Sequence, residues 1–144
     1  VSIVRENYYA PLWTLLSAGN AFVTKSRKVR LLQDMEDGEL PAIFMAVGDQ
    51  PTTPSKNSPA KYRLGAKVFL YAKNPDQETS ADMQLNALAD ALEAAIEPGP
   101  GTGSQILGRD DIELVAIEGK VEVFAAPNGT RAAAIVPIEI HVFG

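Results

Sequence analysis

The stretch SADMQLNALADALEAAIE, Ser80 to Glu97, decides the fold. Ala81, Leu85, Leu88, Leu92 and Ile96 recur at helical spacing and form one apolar stripe. Asp82, Asn86, Asp90, Glu93 and Glu97 lie mostly off that stripe. Ser80 suits an N-cap, and Asp82 puts negative charge in the first turn, where the helix dipole favours it. Pro98 and Gly99 stop the helix. At 1.5 Å per residue it is about 27 Å long, enough to cross one face of a sheet.

Strands flank this helix on both sides. Arg63 to Ala72 alternates, with Leu64, Ala66, Val68 and Leu70 on one face and Arg63, Lys67, Phe69 and Tyr71 on the other. Apolar content on both faces points to a central strand, or to one face meeting a partner. Ala42 to Val47 is a short apolar run opened by Pro41, read as a strand. After the helix, Leu114–Phe124 and Thr130–Phe143 read as two long strands. Ala125 to Gly129 joins them, and Asn128–Gly129 is a hairpin signal. In the last strand Val136, Ile138, Ile140 and Val142 share a buried face, while Pro137, Glu139 and His141 share a polar one. Pro137 calls for an edge position or a bulge.

A second helix opens the chain, with Tyr8, Leu12, Leu15 and Leu16 at helical spacing. Ser2 or Asn7 suits its cap. A start near Asn7 leaves Pro11 in the first turn; a start near Ser2 makes Pro11 a kink. Gly19 and Asn20 end it. The order is helix, two or three strands, helix, two strands. The simplest packing is α+β: an antiparallel-rich mixed sheet of four to five strands with two main helices packed on it. Residues 1–144 are expected to form a single domain, with long loops at about 48–60 and 98–110.

Composition removes many kinds of chemistry. The chain has 144 residues, 46% of them hydrophobic and 22% charged, with no cysteine and one histidine. This excludes a disulfide scaffold, a zinc–thiolate site, a cysteine nucleophile and a histidine-rich metal site. The net charge of −5 is wrong for a general nucleic-acid binder, whose affinity comes from Lys and Arg. No apolar run reaches the ~20 residues needed to span a bilayer, and no stretch has the order of a signal peptide. These features describe a soluble, intracellular-type domain.

The motifs that invite chemistry fail on spacing. The glycines of Gly99–Ser104 follow a helix and do not open one, and they lack the GK[ST] ending of a phosphate loop. Asp110, Asp111 and Glu113 do not have EF-hand spacing. His141 has no serine or carboxylate partner at a motif spacing and reads as a surface residue. Lys25, Arg27, Lys28 and Arg30 form a basic cluster, and Asp34, Glu36, Asp37 and Glu39 follow at once. Such a pair of patches is either solvated surface or a contact between copies.

Taken in order, the pieces resemble the tail terminator (tail completion, minor tail protein) family of long-tailed bacteriophages. The first is Tyr9-Ala10-Pro11-Leu12-Trp13-Thr14-Leu15-Leu16, followed by Phe22 and Lys25-Ser26-Arg27. Leu40-Pro41-Ala42-Ile43-Phe44 leads into the first strand. Then come the helix Leu85-Asn86-Ala87-Leu88-Ala89-Asp90-Ala91-Leu92, ending at Pro98, and Gln105-Ile106-Leu107-Gly108. Ile117-Glu118-Gly119 and the terminal Ile/Val strand close the series. Similar proteins often carry a second glycine after Leu-Gly, where this chain has Arg109, so no role is carried onto Gly108.

The resemblance implies a virion structural protein of the tail and neck, assembled in the host cytoplasm. Its copies, six in the family, form a ring that caps the tail tube, stops tail polymerisation and offers a joining surface to the head–tail connector protein. It implies no catalysis, no cofactor, no metal and no membrane. DNA passes through such a ring without specific binding. Lys25, Arg27, Lys28, Arg30, Asp34 and Glu36 are then expected at contacts between copies or with the tail tube protein. Asp110 and Asp111, or acidic residues of the 80–97 helix, are the candidates for a lumen wall that repels phosphate. The alternative is a small-molecule-binding regulatory domain of ferredoxin-like type, with its ligand between the sheet and the Gly/Pro loops.

Overall fold

A computed structural model describes residues 3–53, 61–74, 76, 78–98, 103–125 and 129–143. In chain order the elements are α1 (Glu6–Leu16), β1 (Thr24–Ser26), β2 (Ala42–Val47), β3 (Thr52–Thr53), β4 (Lys61–Lys73), α2 (Ala81–Ile96), β5 (Ile112–Ile117), β6 (Glu122–Ala125) and β7 (Arg131–Phe143). Two 3-10 turns lie between β1 and β2. The class is α+β, as the sequence indicates.

The two 13-residue strands, β4 and β7, pair antiparallel along their whole length, from Lys61 opposite Phe143 to Lys73 opposite Arg131. They form the middle of a sheet ordered β1-β2-β4-β7-β5. The parallel β1–β2 pair makes the sheet mixed. Two short strands lie off this five-strand path: β3 on β4, and β6 on β7. The chain leaves β4, forms α2 and returns as β5, with β7 between the two strands. That is one split β-α-β unit. A ferredoxin-like fold needs two such units, but α1 precedes every strand.

Both helices cover one face. The α2 stripe Ala81, Leu85, Leu88, Leu92 and Ile96 is buried throughout. It packs with Leu64, Ala66, Val68 and Leu70 of β4 and with Val136, Ile138, Ile140 and Val142 of β7. A fully buried Leu, Ile or Val side chain contributes about 1.5–3 kcal/mol, so this layer carries most of the hydrophobic stabilisation. Ser80 is the N-cap residue, yet its hydroxyl turns to the Asp82 carboxylate and not to a main-chain N–H.

α1 opens at Glu6, which makes Pro11 its sixth residue, beyond the first turn. Asn7 lies inside the helix, and Ser2 lies outside the described residues. The buried set is Tyr8, Tyr9, Leu12 and Leu16; Leu15, expected in the stripe, is only half-buried. Tyr9 takes that place because its ring is buried while its hydroxyl donates to the Gly65 carbonyl at 2.7 Å.

The opposite face of the sheet carries a second, smaller core. Phe44 and Tyr71 meet with ring centroids 5.4 Å apart, and Met35, Leu40, Ala42 and Ala133 surround them. The partner anticipated for the aromatic face of β4 is thus, in part, the chain's own segment from Val29 to Leu40. The Tyr71 hydroxyl fastens that segment by donating to the Arg30 carbonyl at 2.6 Å.

The expected single strand Leu114–Phe124 is divided into β5 and β6. Both halves run along β7, opposite Ile138–Val142 and Ala132–Ile135 respectively. The break faces Pro137. Its carbonyl accepts from Glu118 N at 3.1 Å, so its nitrogen, which has no proton to give, points to the same side. Gly119 fills the gap at φ 116°, a conformation open to glycine. Pro137 therefore sits in an interior strand, and the irregularity it demands appears in the neighbour.

The loop expected at 48–60 begins with an ordered crossing. Gly48 N donates to Gly65 O at 2.8 Å and Gly65 N to Asp49 O at 2.9 Å. Its residues 54–60 lie outside the described residues, as do 99–102 of the 98–110 loop and Asn128 of the hairpin. No helix among the described residues is long and apolar enough to cross a membrane.

Candidate functional site

The basic and acidic residues after α1 are drawn together mainly by contacts within the chain. Lys25 Nζ donates to the carbonyls of Ser17 and Gly19 at 2.7 and 2.6 Å, placing a cation where α1 ends. Arg27 pairs with Glu6. Arg30 pairs with Glu39 at 2.6 Å and reaches Asp34 O at 3.3 Å. Arg30 and then the Glu36 N–H hold the Glu39 carboxyl below the usual carboxylate range. Arg131, far along the chain, pairs with Asp37 at 2.7 Å. Asp34, Glu36 and Lys28 are exposed, and among the described residues their side chains have no ion pair. Val23 and Leu31 also face outward, 63% and 60% exposed.

The two acidic candidates after the second Gly/Pro loop differ. Asp110 is exposed. Asp111 is held by Arg109 through two hydrogen bonds at 2.9 and 3.0 Å, and by the Tyr8 hydroxyl at 2.5 Å. The Arg109 guanidinium also lies over the Tyr8 ring, 4.7 Å from its centroid. This knot ties the segment before β5 to α1. Arg109 first, and then Tyr8, hold the Asp111 carboxyl down at about 2.

A folded-state value below the unfolded one stabilises above the unfolded value of 3.8 and ceases to do so as pH falls through about 2. The Asp111 side chain is 38% exposed, so solvent screening limits the effect to about 1 kcal/mol. Asp111→Asn is expected to unfold at lower urea than wild type at pH 7. The gap should narrow as pH drops below 3.8. A gap that stays constant from pH 7 to pH 3 contradicts this assignment.

A polar cluster occupies the open face of the sheet. Arg63 lies opposite His141 in the β4–β7 register, and Glu139 is two residues before His141 on the same face. Glu118, from the end of β5, completes it. Arg63 Nη2 reaches Glu139 at 3.0 Å and Glu118 at 3.4 Å, and His141 Nε2 reaches the same carboxylates at 3.4 and 3.0 Å. The Glu118 carboxyl is held below the usual range by a hydrogen bond with Glu139 and then by His141. The ligand atoms of Glu118, Glu139 and His141 lie within 4.8 Å of one another, close enough to share a cation. The Arg63 guanidinium already supplies a positive charge to both carboxylates. At motif spacing His141 has no partner in the sequence. The Glu139–His141 spacing was the available signal; Arg63 and Glu118 arrive only through the strand register.

The sheet ends in two unlike edges. One is β1, which carries Lys25 and is flanked by Val23 and Lys28. The other is β5 and β6, and its β6 half is exposed at every residue. There Val121, Val123 and Phe124 are 41%, 59% and 54% exposed. A cleft of about 280 Å³ runs beside this edge, between the end of α2 and β5, lined by Glu93, Ile96 and Val115 among others.

No family model matches the chain, and no curated protein matches it. Among solved structures it is similar to a chain of the "Virion of native gene transfer agent (GTA) particle", at 15% identity and a TM-score of 0.46, over 92% of this chain and 84% of that one. A likeness this distant carries no functional argument.

Proposed function

We propose that this chain is a virion structural protein of the phage tail-terminator kind. Its copies form a ring on the end of the tail tube, stop the tube growing and present a joining surface to the head connector. The observation that carries the reading is the pair of unlike open edges at opposite ends of one sheet. Each exposes apolar side chains that a solitary protein gains nothing by exposing. A contact between two different surfaces leaves each copy with one of each still free, and repetition closes a ring when the rotation from copy to copy closes on itself. The ordered motifs that resemble the terminator family support the same reading, since they fall on α1, β2, α2 and β7 in sequence.

Lys28, just after β1, and the exposed Asp34 and Glu36 are contact residues in this reading. Lys25, Arg27 and Arg30 shape the surface through their ties to α1 and Glu39. The bore carries acidic side chains, with Asp110 the better candidate because Asp111 is engaged by Arg109. Carboxylates there deny passing DNA the phosphate contacts that Lys and Arg make. The test is tube growth. Tail tube protein polymerising with the purified chain present is expected to stop at short, capped lengths. Unchanged tube lengths at saturating protein would overturn the proposal.

A further inference from the structure

Resting on the ring reading, we propose that neighbouring copies join strand to strand, with β6 of one copy adding to the β1 edge of the next. The backbone of β6 is set up for this. Glu118 N donates to Pro137 O, and Phe143 N donates to Asp111 O. Odd-numbered residues of β7 therefore turn their main-chain groups toward β5 and β6. Ile135 lies opposite Glu122, and Ala133 opposite Phe124, so those two β6 residues bond to β7. Val123, between them, points its N–H and C=O away from the sheet.

The opening is confined to this half of the edge. The β5 half is closed by the chain itself, because Val115 N donates to Gln105 O at 2.9 Å. Natural edge strands are usually blunted by charge, proline or a covering segment. In β6 the single charge is Glu122, and Val123 and Phe124 are both more than half exposed.

The occupant follows from charge and symmetry. Pairing β6 with the β6 of another copy uses the same edge on both and ends at a dimer. Pairing β1 with β1 sets Lys25 and Lys28 against theirs. Pairing β6 with β1 brings Glu122, Val121, Val123 and Phe124 to the edge that carries Lys28 and the exposed Val23. It is also the only one of the three pairings that continues from copy to copy.

The absence of cysteine makes the test clean. Val123→Cys is combined with Val23→Cys in one variant and with Lys25→Cys in another, and each is treated with a short bis-maleimide. Light scattering on the untreated samples checks assembly. The expected result is a ladder of linked copies from at least one double variant, ending at the ring size, with Val123→Cys alone unlinked. In parallel, Val123→Lys is expected to reduce assembly at least tenfold without changing the melting temperature, because the side chain is exposed. The strand pairing is overturned if the copies assemble but neither double variant links. It is also overturned if Val123→Cys alone gives linked dimers, or if Val123→Lys assembles like wild type. If wild type stays monomeric both alone and on tail tubes, the ring reading itself fails, and the strand pairing with it.

Discussion

Ile138→Ala is expected to lower the unfolding free energy by about 3–4 kcal/mol, the range of large-to-small changes at sites that cannot collapse. Ile138 is fully buried in β7, opposite Ala66 of β4 on one side and Ile117 of β5 on the other. Its side chain points into the layer between sheet and helices, where Leu85, Leu88 and Leu92 of α2 lie. Because β7 is paired on both sides, its backbone cannot shift inward to fill the space. Urea unfolding measures the loss. Val123→Ala, at an exposed position, is expected to stay within about 0.5 kcal/mol of wild type. A loss below about 1 kcal/mol for Ile138→Ala would show that this layer repacks freely, against the packing described above.

Gly65→Ala is the second large effect, and it arises from backbone and not from the core. A Cβ at this position sits 2.4 Å from Asp49 O and 3.2 Å from Asp49 N. The obstruction is main chain, held in place by the hydrogen bonds of Gly48 and Gly65, so no side-chain rotation relieves it. The crossing must move. Gln50 moves with it, and its amide donates to the Tyr9 hydroxyl at 3.1 Å. Overpacking costs about 1–3 kcal/mol, and loss of one hydrogen bond adds about 1. Reduced freedom of the unfolded chain returns about 0.4–1 kcal/mol. The expected net loss is about 2 kcal/mol by urea unfolding. Gly38→Ala is the control, since a Cβ there meets nothing within 4 Å. Equal stability of the two variants would contradict the crossing geometry.

What the sequence revealed follows the range of the interactions involved. α2 was legible because its stripe, cap and stop all lie within twenty consecutive residues. β2 was legible because Pro41 and Gly48 bracket an unbroken apolar run. The alternation of β7 told its buried face from its polar one. The break between β5 and β6 was not legible, although both Gly119 and Pro137 were visible. Only the register places them against each other. The same holds for the open-face cluster, in which Arg63 and Glu118 join Glu139 and His141 from neighbouring strands.

The charged segment from Lys25 to Glu39 reads in the sequence as either solvated surface or a contact between copies. Much of its charge is instead engaged by α1, by Arg131 and by the segment itself, and Met35 and Leu40 anchor it over Phe44. The apolar residues of β6 look in the sequence like part of one ordinary long strand, Leu114–Phe124. Their exposure depends on there being no strand beyond them among the described residues, which no local pattern encodes.

The ring is tested most directly by the number of copies in the assembled wild-type protein. It is measured by light scattering after size exclusion, and by negative-stain images of the protein alone and on purified tail tubes. A closed ring of six copies is expected, formed alone or templated by the tube end. A monomer in solution that also leaves tube ends bare would contradict it.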